Sequence, residues 1–414
     1  MAKKRNIEGD RLHRFELSDK NRAVRWVLIA ILVIVGVGAL VVGLTGVLQT
    51  PAGWQTMEAS STNMNSSHAF TFRYDLGAGE TSASVESKAL SLYYGQISEE
   101  AWQLFYNEAE EPTQKGIGYL NSHLNEAVQV NEDFYKVLQQ FEKSGSRVLY
   151  LGPVYAAYDQ VFHSETVTIA TDRDPGQNEE VAAYVAELIA FANDPEAISL
   201  ELREDNYVYL QVSPAYLAFA KDNELENLLD FGWMKNAVAI DYLADKLVAT
   251  GYTNGYLASQ DGFIRNLDTR GNNYSLNVFG KNQGGGELAA LMDYSGPIAI
   301  TVLRSFPMYK EDSNSFYLFE NGRVVTDKID PVDGVSKTAA DTLVSYKTNG
   351  SCLEVALSVM PYYVTDTFAA ENLDTLTSSG IYSLWIVGKE IAYNQAGLSV
   401  TKENEAYAML KRFQ

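Results

Sequence analysis

A single cysteine among 414 residues, Cys352, excludes an internal disulfide and any metal site built on several thiolates. Histidine is almost as scarce. His13, His68, His123 and His163 stand apart, so neither HExxH nor another paired-ligand spacing exists. Cations are short as well, with 32 Lys and Arg against 53 Asp and Glu, a formal net charge of -21. Without clustered Lys and Arg to displace counterions from phosphates, the chain is not expected to bind nucleic acid or anionic lipid headgroups. No internal repeat is visible at a period of about 20 to 50 residues. The triplet Gly284-Gly285-Gly286 has no GKS or GxGxxG context, so it reads as a mobile loop before it reads as a phosphate cradle. Disorder is excluded for most of the chain, because 46% hydrophobic and 12% aromatic residues can bury enough apolar surface to offset the ordering entropy.

Residues 26–48, from Trp26 to Leu48, carry no charge. At a rise of about 1.5 Å per residue, such a helix spans a hydrocarbon core of about 30 Å. A cleavable signal has a shorter apolar stretch and a small-residue cleavage site behind it, so this segment is expected to persist as a signal anchor. The tail 1–25 holds 8 of the 32 basic and 4 of the 53 acidic residues, which leaves 24 against 49 beyond it, a formal charge of -25. By the positive-inside rule the tail is cytoplasmic, the protein is single-pass in the cell membrane, and all that follows Leu48 is extracytoplasmic. Residues 49–69, rich in Ser, Thr and Asn and without hydrophobic periodicity, read as a flexible stalk. From residue 70 to 414, helix-like and strand-like segments alternate without a second low-complexity break. The expectation is one large α+β domain.

Local signals place several elements. Asn131 is an N-cap for a helix with Phe134, Val137, Leu138 and Phe141 on one face, ended by Ser144-Gly145. Ser213-Pro214 opens a helix expected to run to about Leu229. Another is expected from about Ala237 to Thr250 with Gly251 behind it, followed by a strand at Tyr256-Leu257-Ala258. Asn321-Gly322 between alternating segments is the strongest hairpin signal. Ser351 and Glu354, ahead of Ala356 and Leu357, form a capping box.

The run Leu229-Asp230-Phe231-Gly232-Trp233-Met234-Lys235-Asn236-Ala237-Val238-Ala239-Ile240-Asp241, with Leu243-Ala244 and Gly251 after it, resembles the FAD:protein FMN transferase family, also called the ApbE family. The family pattern there is Asp-x-Gly-Gly-Ile-Ala-Lys-Gly-x-Ala-x-Asp. Ser259-Gln260-Asp261-Gly262-Phe263-Ile264 is similar to its Asn-Ala-Gly-Gly-Asn-Ile, and Lys328-Ile329-Asp330-Pro331-Val332-Asp333-Gly334 to its His-Ile-x-Asp-Pro-x-Thr-Gly. Leu120-Asn121 and Gly152-Pro153 resemble two upstream landmarks. The likeness covers most of residues 70–370, and the collinear order of its motifs carries it.

The resemblance implies an ApbE-like extracytoplasmic domain related to magnesium-dependent enzymes that cleave FAD and attach FMN to a Thr or Ser of a partner flavoprotein. By that analogy Asp230, Gly232, Lys235 and Asp330 are the candidate cofactor-binding residues and FAD the candidate ligand. Three of them have a plainer reading: Asp230 as a cap of the following helix, Lys235 as an exposed helix-start lysine, Asp330-Pro331 as turn chemistry. No catalytic residue is assigned. Where the family's Ala-Asp-Ala-Leu-x-Thr-Ala-Leu motif supplies magnesium ligands, this chain has Ser351 for the Asp and Val355 for the Thr, and Asp327 falls on the family's histidine. Magnesium asks for hard anionic oxygens and is not expected to be held there. Two readings follow: a pseudoenzyme or flavin- and partner-binding scaffold in a flavinylation or extracytoplasmic electron-transfer system, its partner an extracytoplasmic flavoprotein or a membrane protein, or a divergent but active transferase in which Asp327 or Asp333 takes over the metal.

Overall fold

The computed structural model describes residues 50–59, 69–79, 81–109, 114–283, 285–308 and 315–411. The expected anchor, 26–48, lies outside them; among the described residues no helix is long and apolar enough to cross a membrane.

Nine strands build the central sheet: β1 (Gly53–Met57), β2 (Phe70–Leu76), β3 (Gly255–Ser259), β4 (Phe263–Asn266), β5 (Ile298–Arg304), β6 (Thr342–Thr348), β7 (Ile381–Val387), β8 (Glu390–Tyr393) and β9 (Ala408–Lys411). They lie side by side in chain order. Every neighbouring pair is antiparallel except β8 and β9, which are parallel. β1 corrects the stalk reading, because part of 49–69 is the edge strand, with Trp54 opposite Asp75 and Met57 opposite Phe72. Five residues of mixed polarity become a strand here by pairing with β2, a partner that local sequence does not reveal.

Side chains alternate across the strands, and both faces of the sheet are covered. Along β5, Ala299 and Leu303 enter the core beneath the helices, whereas Ile298 and Ile300 enter a second core. That second core is roofed by a three-stranded sheet of Asn273–Asn282, Gly285–Ser295 and Val400–Lys402, which contributes Val278, Ala290 and Met292. Gly285 and Gly286 therefore belong to a strand, opposite Asn282 and Lys281, and are not the loop expected from composition.

Six helices matter for the site: α1 (Ala83–Phe105), α2 (Glu132–Ser144), α3 (Gly152–Phe162), α4 (Glu179–Asn193), α5 (Lys235–Ala249) and α6 (Cys352–Tyr363). In α1, Leu90, Tyr94, Ile97, Ala101 and Leu104 recur every three or four residues and make one buried face. Asn131 caps α2 by accepting from the Asp133 and Phe134 N–H groups, and Gly145 ends it at φ 67°. The helix opened by Ser213 is shorter than expected. It stops at Asp222, where Glu224 enters the left-handed region at φ 54° and the Leu225 N–H closes onto the Ala220 carbonyl at 2.8 Å. The hairpin at Asn321-Gly322 joins Phe316–Leu318 to Val324–Thr326, with Tyr317 opposite Val325.

Candidate functional site

The segment leading into α5 is held by two asparagines. Asn121, buried to 6% exposure, grips the Leu229 peptide from both sides, accepting from its N–H at 2.9 Å and donating to its carbonyl at 2.8 Å. Asn107 donates to the same carbonyl at 3.0 Å and to Asp230 Oδ2 at 2.7 Å. The other oxygen of Asp230 accepts from the Gly232 N–H at 2.6 Å, which closes a tight turn before the helix. Asp230 is thus anchored at both oxygens.

Gly232 adopts φ +54°, and a Cβ there would meet the Tyr155 ring at 2.3 Å. Gly152, at the start of α3, is required for a similar reason: its Cβ would lie 2.3 Å from the Asn227 carbonyl. Helix α3 can then lie against the segment before α5 and lay Tyr155 across Gly232. Gly232→Ala is expected to lose about 1–3 kcal/mol of stability from backbone strain alone and to push the Tyr155 ring aside. Urea unfolding measures the loss. A midpoint equal to that of the parent protein would contradict the close approach.

Between α3, the turn before α5 and the loop ahead of β4 opens a cleft of about 830 Å³. Asp230, Gly232 and Lys235 all line it. Lys235 Nζ lies 3.2 Å from Glu108 and 3.8 Å from Asp230, with the Tyr106 ring 5.4 Å away. Burial by itself lowers the lysine pKa, but Asp230 and Glu108 outweigh it and leave Lys235 above the ordinary lysine value. The plain reading of Lys235 as an exposed lysine is therefore corrected: its side chain is only 20% exposed. Asp330 stands elsewhere. It accepts from the Val332 N–H and pairs with Lys337 at 2.9 Å, in a turn packed on α4, where a Cβ at Gly334 would meet Val185 and Ile189 at 2.7 Å.

The cleft also contains groups that the sequence reading passed over. Trp233 is 5% exposed and stacks on Phe263 with ring centroids 6.4 Å apart. Buried Lys328 lies 5.7 Å from the Trp233 ring and forms an ion pair of 2.5 Å with Asp327, the residue at the family's histidine position. Asp261 accepts from Asn236 at 2.9 Å, and Asn236 in turn accepts from the Tyr106 hydroxyl at 2.7 Å. Burial pushes the Asp261 carboxyl above its usual pKa. Among the described residues, Asp261 Oδ1 and Trp233 Nε1 are both buried without a hydrogen-bond partner. Asp261 stands in a Gln-Asp-Gly turn, and nothing in the local sequence ties it to Asn236.

The place of the family's metal motif is built differently. Ser351 Oγ accepts from the Glu354 N–H at 3.1 Å and caps α6, while Glu354 pairs with Lys347 at 2.6 Å instead of reaching back. Only half of the expected capping box forms. Val355 is fully buried. The nearby carboxylate, Asp241, is saturated: Oδ1 accepts from the Cys352 N–H at 2.8 Å and Arg265 at 2.5 Å, and Oδ2 from the Leu353 N–H at 2.8 Å. Cys352 is fully buried, its thiol packed as a small core group. These residues do not fit a magnesium ion, since no uncommitted anionic oxygen faces the place. Among the described residues no group of three or more His, Cys, Asp or Glu side chains is arranged to hold a metal ion.

Comparison with solved structures decides the architecture. The flavin transferase ApbE of Vibrio cholerae superposes with a TM-score of 0.54 at 13% identity, covering 85% of this chain and 97% of that one. The ApbE protein of Thermotoga maritima superposes with a TM-score of 0.56 at 10% identity, covering 84% of this chain and 96% of that one. The chain has an ApbE-like fold. No protein-family model and no curated protein matches the sequence. Within the ApbE-like fold, the turn of Asp230 and Gly232 with Lys235 forms one wall of the cleft, whereas Ser351 and Val355 are absorbed into the cap and core of α6.

Proposed function

We propose that this protein is a membrane-anchored, extracytoplasmic flavin-binding scaffold, related in fold to flavin transferases but not itself transferring FMN, and that it serves a flavoprotein partner. The observation that carries the reading is the contrast between an open cleft and a closed metal place. The cleft keeps Asp230, Gly232 and Lys235 on one wall. At the place of the family's metal motif, Ser351 caps a helix, Val355 is buried and Asp241 is fully engaged by hydrogen bonds. Transfer of a phosphoryl-linked group relies on a cation to neutralise developing charge, and that role has no evident owner among these side chains.

One observation favours the second reading, a divergent active transferase: Asp327 lines the cleft and brings a carboxylate to the family's histidine position. Asp333 does not share that place, being paired with Lys337 at 2.5 Å. Incubation of the full chain with FAD, magnesium and an acceptor flavoprotein domain separates the readings. The expected result is an acceptor of unchanged mass, while flavin binding by this chain is followed separately by titration with riboflavin, FMN and FAD. An acceptor gaining one FMN at a rate set by this protein would establish the transferase instead. No binding of any flavin would remove the flavin reading altogether.

A further inference from the structure

The walls of the cleft are strongly one-sided in charge. Among the described residues, its lining contains seven carboxylates and a single lysine, without an arginine. That lysine is already shared between Glu108 and Asp230, and the neighbouring Lys328 is held by Asp327. Glu224 and Glu226 add negative charge with no cation paired to them by hydrogen bond or ion pair among the described residues. A phosphate brought into such a cleft meets like charges, and a charge mismatch of this kind is a device that rejects a ligand.

The same cleft has an unsatisfied demand of another kind. Trp233 Nε1 is a buried donor and Asp261 Oδ1 a buried acceptor, and among the described residues neither has a hydrogen-bond partner. Buried polar groups are nearly always paired, so an orphan donor and an orphan acceptor on one cleft call for a ligand that presents an acceptor and a donor of its own. The imide of a flavin ring offers a carbonyl and an N–H, and the aromatic side chains of Trp233, Tyr155 and Tyr106 suit a flat ring.

We infer that the cleft selects a flavin ring without a phosphate, of the riboflavin type, and rejects FMN and FAD through its carboxylates. The inference rests on the flavin-binding reading above and narrows it. Fluorescence titration of the full chain with riboflavin, FMN and FAD at low ionic strength tests it. Riboflavin is expected to bind at least tenfold more tightly than either nucleotide, with the gap narrowing as salt screens the carboxylates. The double variant Glu224→Gln, Glu226→Gln, altered only at exposed side chains, should raise FMN affinity relative to riboflavin several-fold. Trp233→Phe should weaken riboflavin several-fold. FAD or FMN bound as tightly as riboflavin overturns the inference and leaves flavin binding standing; a protein that binds none of the three overturns both.

Discussion

Replacing Asp241 by alanine is expected to destabilise the protein by about 3–5 kcal/mol, the range found when one partner of a buried ion pair is removed. Asp241 is 8% exposed, and its oxygens serve Arg265 and the first two N–H groups of α6. Burial raises its pKa, against the pull of Arg265 and the two backbone donors. Alanine would leave a guanidinium and two helix-terminal donors unsatisfied, in a place where α5, α6 and β4 meet. Asp241→Asn keeps the shape and loses the charge, so it should fall between the two. Urea unfolding of the three proteins is the measurement. A loss under about 1 kcal/mol for the alanine variant would mean that the carboxylate is not what fastens α6 to α5.

The second large effect is expected at Asp268, in the loop after β4. Its side chain is fully buried and accepts from Arg270 Nε at 2.9 Å, Asn272 at 2.7 Å and Tyr274 at 2.6 Å. Arg270 continues to Asp75 on β2 at 2.7 Å, which ties the loop to the sheet. Burial by itself raises the Asp268 pKa, but the hydrogen bonds from Arg270 and Tyr274 outweigh it and hold the carboxyl well below the usual range. A depressed carboxylate stabilises the folded state above its unfolded value of about 3.9, and that contribution disappears as pH falls further toward the folded value. Asp268→Ala should therefore cost about 3 kcal/mol at neutral pH, and the gap to the parent protein should shrink below about pH 4. Unfolding curves across pH check this. A gap that stays constant down to pH 2 would show that charge is not the source of the effect.

Glycine and asparagine illustrate how far local reading reaches at the site. Asp230, Gly232 and Lys235 lie within one turn and the start of one helix, so their convergence on one wall follows from a short stretch of chain. Asn121 was visible only as a landmark; its task, holding Leu229, links positions 108 apart. Asp261 and Asn236 are 25 apart and meet only because β3 and β4 return past the start of α5. Asp330 resembles the family motif in its spacing, yet Lys337 and the packing of Gly334 on α4 turn it away from the cleft.

The amino-acid sequence by itself determined the caps at Asn131, Ser213 and Ser351, the hairpin at Asn321-Gly322 and the α+β character, because each of these is settled by partners a few residues away. Its collinear motifs also pointed to the ApbE-like fold. Tertiary structure alone decided that Gly53–Met57 is a strand, that Trp233 Nε1 and Asp261 Oδ1 have no hydrogen-bond partner among the described residues, and that Asp241 is consumed by α6. The physical reason is range. A cap or a turn satisfies its own backbone, whereas an edge strand, a buried donor or a cleft wall is defined by what distant segments bring against it, and hydrophobic patterning says which residues are buried without saying beside whom.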